Sequence, residues 1–402
     1  MFLESIATER YRNLAGETLS LSEGINLLYG KNAAGKTNTL ECAYLFASGR
    51  SFRTRHEAEL IRHGADSARA EICLNRDGRR ERMALLWRTE PGRGTVKRML
   101  YQGYEVAKAS EFLGIFRAVL FTPDHLSLIK GSPEERRRFM DIALSQLAPR
   151  YVRCLNEYLT VLAQKNAYLK KAAFSGRVDG DYLEVVNAQL AKTAAVLIRQ
   201  RSSFAGQLRQ FAGEFYAHLS GARETLDVKY LSVTKRNFAD LEFTEAKLGE
   251  IYRADREAEL RTGRTLHGPH KDDLVIYLSG TAAASENAVS VLTEKNGEDV
   301  PENTENAVSE FAARTFGSQG QQRSAVLAIK FAEGEIFKSL TGEYPVFLLD
   351  DLLGELDGER RGVLIHLIRD RQAIISCCDR SALPDMADVS AVHVADGRYE
   401  PE

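Results

Sequence analysis

The first 125 positions run apolar or alternate in short stretches. Phe2 to Ile6, Thr18 to Leu21 and Ile25 to Tyr29 have strand character, and a glycine-bounded loop then opens a helix from Lys36 to about Ser48. Further strands are predicted at Ala70 to Leu74, Met83 to Arg88 and Ala118 to Phe121, with turns at Asn75-Arg76-Asp77-Gly78 and Pro91-Gly92-Arg93-Gly94 between them. The pattern changes at Gly131-Ser132-Pro133-Glu134-Glu135, where Ser132 with Glu135 makes a capping box and Pro133 suits the first helical position. Apolar residues then recur at helical spacing to about Leu260, broken at Gly176 to Gly180 and by a strand at Leu226 to Val233. That length fits a compact helical lobe and is too short for a long coiled coil. Beyond Gly268 short strands return with one long helix. The expected organisation is a mixed-sheet unit from 1–125 and 262–402, with a helical lobe inserted at 126–261. No repeat of fixed period is visible.

Composition sharpens this. The 402 residues are 44% hydrophobic and 27% charged, enough for sizeable cores in two or three packed units. No apolar run approaches a membrane span, and Met1 to Arg12 mixes Glu4, Glu9 and Arg10 into its apolar pattern, unlike a signal-peptide core, so a cytosolic protein is expected. Cys42, Cys73, Cys154, Cys377 and Cys378 include no CxxC pair and read as incidental thiols. The formal charge of -2 is uneven: residues 281–310 hold seven acids against Lys295, a net of -6, which leaves the rest at +4. That acidic stretch has the composition of a mobile surface insertion.

The chemistry starts at Gly30-Lys31-Asn32-Ala33-Ala34-Gly35-Lys36-Thr37, which fits G-x-x-x-x-G-K-[ST] directly after an apolar strand and before a helix. Glycines at 30 and 35 let the backbone curl so that its N–H groups face phosphate oxygens, and the helix N-terminus adds partial positive charge. Lys36 is the candidate for the terminal phosphates, and Thr37 for Mg2+. Val346-Phe347-Leu348-Leu349-Asp350-Asp351 supplies the partner motif: a strand buried on both faces ending in two carboxylates. Asp350 is the second candidate for the metal shell. Asp351 is the candidate general base or water-positioning group, with a shorter reach than the glutamate many cassette ATPases carry there. Lys36 and Asp350 stand 314 residues apart, too far for a small GTPase or a compact small-molecule kinase. Before Asp350, Ser318-Gln319-Gly320-Gln321-Gln322 opens a helix with apolar Val326, Ile329, Ala332, Ile336 and Leu340. A second anion site at a helix start suggests that Ser318, Gly320 and Gln321 meet the ATP held by an identical chain.

In this order the motifs resemble the RecF family. Tyr11-Arg12-Asn13-Leu14 is similar to that family's opening, and Gly30 to Asn38 to its phosphate loop, with Asn32 and Asn38 in place. Phe121-Thr122-Pro123-Asp124, Lys130 to Pro133 with Arg136 to Phe139, Gly268 to Leu274, Ser318 to Arg323 and Leu348 to Asp357 continue the resemblance across nearly the whole chain. Gly354 stands where relatives usually have Ser, and Ala33 where Gly is frequent. The resemblance implies an α/β fold, an ATP-binding-cassette P-loop head whose lobe I carries the inserted helical lobe II. It also implies ATP and Mg2+ as cofactors, with Arg12, Asn13 and Lys31 to Asn38 near the nucleotide. The activity implied is that of a weak, DNA-stimulated ATPase that dimerises with ATP on double-stranded or gapped DNA. Recombinase loading with RecR and RecO and induction of the SOS response follow from the same resemblance.

Two other classes remain open. An energy subunit of a transporter shares the cassette, but it normally has a His after the second motif, where this chain reads Ala373-Ile374-Ile375-Ser376-Cys377-Cys378. A nucleotide-binding scaffold without turnover is kept alive by Asp351. DNA-contact candidates are Arg76, Arg79, Arg80, Arg82, Arg93, Lys97 and Arg98, weighed equally against a solvated face. Arg136 to Arg138 are expected to pair internally, beside Glu134 and Glu135. His267 and His270 lack a third ligand and read as structural.

Overall fold

The structure, a computed structural model, describes residues 1–222, 224–232, 245–279, 311–313, 318–383 and 389–402. The acidic stretch 281–310 lies outside them. The chain begins with β1 (Phe2–Glu9), β2 (Thr18–Ser20), β3 (Ile25–Tyr29), α1 (Lys36–Ser48), β4 (Ser67–Arg76), β5 (Arg79–Glu90), β6 (Gly94–Tyr101), β7 (Tyr104–Val106), α2 (Ala109–Phe112) and β8 (Ala118–Phe121). It continues through α3 (Ser127–Lys130), α4 (Pro133–Leu147), α5 (Pro149–Ser175), α6 (Gly180–Ser220), β9 (Thr225–Leu231), α7 (Glu245–Ala254), α8 (Arg256–Thr262), β10 (Asp273–Ser279) and β11 (Phe311–Ala312). It ends with α9 (Gln319–Thr341), β12 (Val346–Asp350), α10 (Gly358–Ile368), β13 (Ala373–Cys377), β14 (Val389–Ala395) and β15 (Arg398–Pro401).

Two compact units result, Met1–His125 with Lys330–Glu402, and Leu126–Ile329. In the first, one sheet runs β15-β14-β3-β13-β12-β8, parallel from β14 to β8. Its inner strands are near-continuous buried runs, as parallel strands covered on both faces must be: β8, β12 and β13 have no exposed position. Helix α1 packs on β12 and β13 and buries Leu40, Ala43, Leu45 and Phe46. The second sheet is antiparallel, β2-β1-β4-β5-β6-β7. It is larger than the sequence suggests, because β6 and β7 carry charged residues that mask their alternation.

The second unit starts with the capping box read from the sequence: Ser132 and Glu135 cap α4 reciprocally, with Pro133 in the first turn. Helix α5 ends at Gly176 in the left-handed conformation that relieves a C-terminus, and α6 begins at Asp179, whose carboxylate accepts from Tyr182 N. The expected boundary near 262 does not coincide with the division of the units. Strand β10 pairs along its whole length with β9, which holds residues after 262 in the second unit. Arg136 is indeed paired internally, but its partner is Asp273, held by two 2.8 Å bonds, and the neighbouring Glu134 and Glu135 are not that partner. His270 Nδ1 lies 2.5 Å from the Tyr158 hydroxyl, and His267 bonds Asp255.

Candidate nucleotide site

Strand β3 delivers the chain to the phosphate loop in the middle of the parallel sheet, the place where open α/β sheets present ligands. Gly30 (φ 147°) and Gly35 (φ 122°) take backbone conformations closed to other residues. A Cβ at Gly30 would collide with the Val394 carbonyl, and one at Gly35 would lie 2.9 Å from Leu14 Cδ2. Ala33 also has positive φ, 65°, which is why glycine is at home there. The loop is clasped from outside. Asn13 Nδ2 donates to Ala33 O at 2.8 Å, Asn38 Nδ2 donates to Asn13 Oδ1 at 2.7 Å, and Gly397 N donates to Ala34 O at 2.8 Å. Lys36 is 7% exposed and its ammonium donates to the carbonyls of Gly30 (2.5 Å) and Lys31 (2.8 Å), across the mouth of the loop.

Asp350 ends β12 beside this loop. Its Oδ1 accepts from Thr37 Oγ1 at 2.8 Å and from Ser376 Oγ at 2.7 Å. Burial pushes the Asp350 carboxyl above its ordinary value; the two hydroxyls oppose that shift and the charge of Asp351 adds to it. Octahedral Mg2+ binds oxygens at 2.0–2.1 Å, so adjacent ligands stand about 2.9 Å apart. The 2.8 Å separation of Thr37 Oγ1 and Asp350 Oδ1 therefore fits neighbouring positions around such an ion, if both oxygens bind it directly. Asp351 follows with φ 50°, its N–H held by the Ser376 hydroxyl (3.0 Å) and carbonyl (3.2 Å), and its side chain exposed.

Asn13, Gly35, Lys36, Thr37, Asp351 and Ser376 line an open cleft of about 1110 Å³ that also touches Arg12, Asn32, Arg53 and residues Ile61 to Ala65. Arg12 (φ 47°) is committed to the fully buried Glu41 by bonds of 3.0 and 2.8 Å, and Ser51 Oγ donates to the same carboxylate at 2.5 Å. Arg53 Nη1 donates to Asn38 Oδ1 at 2.5 Å, and the exposed Cys378 thiol donates to Asn32 Oδ1 at 3.0 Å. Glu41, Arg53, Ser376 and Cys378 belong to no linear motif. Ser376 comes into the site only because β13 pairs with β12, a neighbour relation that nothing in the linear sequence announces.

Ser318, Gly320 and Gln321 lie in the second unit, at the start of α9. Gln321 N donates to Ser318 Oγ at 3.3 Å while Ser318 N donates to Gln321 Oε1 at 2.6 Å, a reciprocal cap. The basic stripe on the antiparallel sheet is largely neutralised: Arg76 pairs with Glu81, Arg80 with Glu4, Arg82 with Glu71, Arg93 with Glu90, Lys97 with Glu57 and Arg98 with Glu105.

The model of the RecF/RecN/SMC N-terminal domain family matches residues 2–399. The protein named DNA replication and repair protein RecF from Exiguobacterium sp. (strain ATCC BAA-1283 / AT1b) is 35% identical over 409 residues, all of both chains. The chain belongs to the RecF family. The RecF of Bacillus subtilis (strain 168) is 33% identical, covering 92% of this chain and 91% of its own. Among solved structures, the recombination mediator protein RecF-ATPrS in the RecFOR pathway superposes with a TM-score of 0.84 at 27% identity, covering 100% of this chain and 98% of that one. An SmcHead bound to the C-winged helix domain of ScpA matches at 0.54 and 16% identity, which speaks to the fold alone. The fold is thus the cassette-type ATPase head that RecF proteins share with SMC heads. Among the described residues no helix is long and apolar enough to cross a membrane.

Proposed function

We propose that this chain is an ATP-switched DNA-binding protein of DNA replication and gap repair. Two copies close around Mg-ATP on double-stranded or gapped DNA, and slow hydrolysis reopens them. The observation that carries this is the junction of Thr37, Asp350 and Ser376 beneath a phosphate loop clasped by Asn13 and Gly397. ATP and ATPrS are the ligands named for two RecF structures that superpose on this chain. Partnership with RecR and RecO, recombinase loading, SOS induction and a cytosolic location come with the same reading.

The loop N–H groups and the Lys36 ammonium hold the phosphates. For that, Lys36 exchanges its present bonds to Gly30 and Lys31 for phosphate oxygens. Thr37 and Asp350 hold Mg2+, which when bound offsets charge on the terminal phosphates. Asp351 accepts a proton from, or orients, the attacking water, while its N–H bonds to Ser376 keep it at the end of β12. The Ser318 turn of the second copy completes the site from the other side.

The test is ATP turnover with and without duplex DNA, run on the wild type, Lys36→Ala and Asp351→Asn. The expected result is slow turnover that rises with DNA and is lost in both variants. DNA-insensitive turnover would sink the switch, and no turnover at all would leave a nucleotide-binding scaffold.

A further inference from the structure

We infer that Glu224 is a positioning residue for the Ser318 turn, acting through Gln321. This rests on the function proposed above, in which that turn meets ATP carried by a second copy. Glu224 lies just before β9, and its two oxygens are both engaged. Oε1 accepts from Gln321 Nε2 at 2.8 Å and Oε2 from the hydroxyl of the buried Tyr216 at 2.6 Å.

Both Glu224 oxygens accept here, so Glu224 dictates which way the Gln321 amide faces. Its nitrogen must point to Glu224, which leaves its oxygen toward Ser318 N, where it accepts at 2.6 Å. A reversed amide would set oxygen against carboxylate and NH2 against N–H, losing both bonds. The orientation locks the reciprocal cap, because Gln321 N also donates to Ser318 Oγ at 3.3 Å.

The consequence for an incoming phosphate is specific. Two N–H groups of the turn, those of Ser318 and Gln321, are occupied within it. The N–H groups of Gln319 and Gly320 and the hydroxyl proton of Ser318 are what the turn presents to an anion. Glu224 therefore selects the donor set while standing one side chain behind it, and it has no contact with nucleotide.

The experiment measures nucleotide-dependent pairing of the full chain by sedimentation with a non-hydrolysable ATP analogue. Alongside it run monomer affinity for a fluorescent ATP analogue, kcat at several protein concentrations, and Tm. Glu224→Ala is expected to weaken pairing by about tenfold or more, the effect of losing a hydrogen bond to a charged group, with monomer affinity unchanged and kcat recovering at high protein concentration. Glu224→Gln can still present oxygen to Gln321 and nitrogen to Tyr216, and should stay within about threefold of wild type. Gln321→Leu removes the relay from its other end and should match Glu224→Ala, which keeps the test alive if Glu224→Ala lowers Tm.

Wild-type pairing in both Glu224→Ala and Gln321→Leu, or a Glu224→Gln defect as deep as that of Glu224→Ala, overturns the inference. Failure of the wild type to pair with nucleotide, or unchanged pairing in Ser318→Arg, overturns the dimer reading and this inference with it. Loss in Ser318→Arg beside normal pairing in the other variants removes the inference alone.

Discussion

Asp351 combines two properties that are separable by mutation. It carries the candidate carboxylate, and it holds a left-handed backbone (φ 50°) that Asn tolerates about as well as Asp. Asp351→Asn should therefore leave stability and ATP affinity near wild type while lowering turnover by about 100-fold, a typical loss for a general base. Asp351→Glu, which fits the left-handed region less well, should lower stability by roughly 1 kcal/mol in denaturant unfolding. His270 gives a pH prediction. Burial pushes its ring from the ordinary 6.5 down to about 4, so the fold keeps it neutral while the unfolded chain takes up a proton. Stability present above pH 6.5 is then lost as pH falls toward 4, by up to about 3 kcal/mol, and His270→Gln should flatten that slope in urea titrations between pH 7.5 and 5. What was legible at this scale was contiguous. Gly30 to Thr37 announces itself because backbone and chemistry are local. Ser376 and Glu41 escaped because their roles exist only through contacts 26 and 29 residues away, with Asp350 and Arg12.

Elements were legible where burial dictated pattern. Strands β3, β8 and β12 are nearly unbroken apolar runs, a consequence of cover on both faces, and α4 was marked by its cap; β13 has the same apolar character but was not singled out. Strands β6 and β7 were not, since one face is wet and carries charge at positions that interrupt the alternation. The same sheet changes the view of the basic stripe. Cations already paired with acids have fewer counterions to release, so the double substitution Arg80→Ala with Arg82→Ala should shift DNA affinity by less than about threefold and leave its salt slope nearly unchanged. A steep loss in filter binding across a salt series would overrule that. Arg136 is a different case: removing it leaves the partly buried Asp273 without its counter-ion, and Arg136→Ala should destabilise by about 3 kcal/mol in chemical unfolding.

At the scale of the molecule, family membership and motif order agree, and pairing around nucleotide is the behaviour most open to a decisive measurement. Sizing with and without an ATP analogue should show a nucleotide-dependent doubling of mass that Ser318→Arg abolishes; unchanged mass would remove the sandwich. The way β3 is laid down carries one more implication. That strand, early in the chain, pairs on one side with β13 and on the other with β14, and the loop it feeds is gripped by Gly397. During synthesis from the N-terminus, the phosphate loop has none of these neighbours until more than 330 further residues have left the ribosome. On the function proposed above, a chain interrupted before β13 lacks both strands that flank β3 and the Gly397 bond to the loop, and such an unfinished molecule is expected to compete poorly with complete ones for ATP.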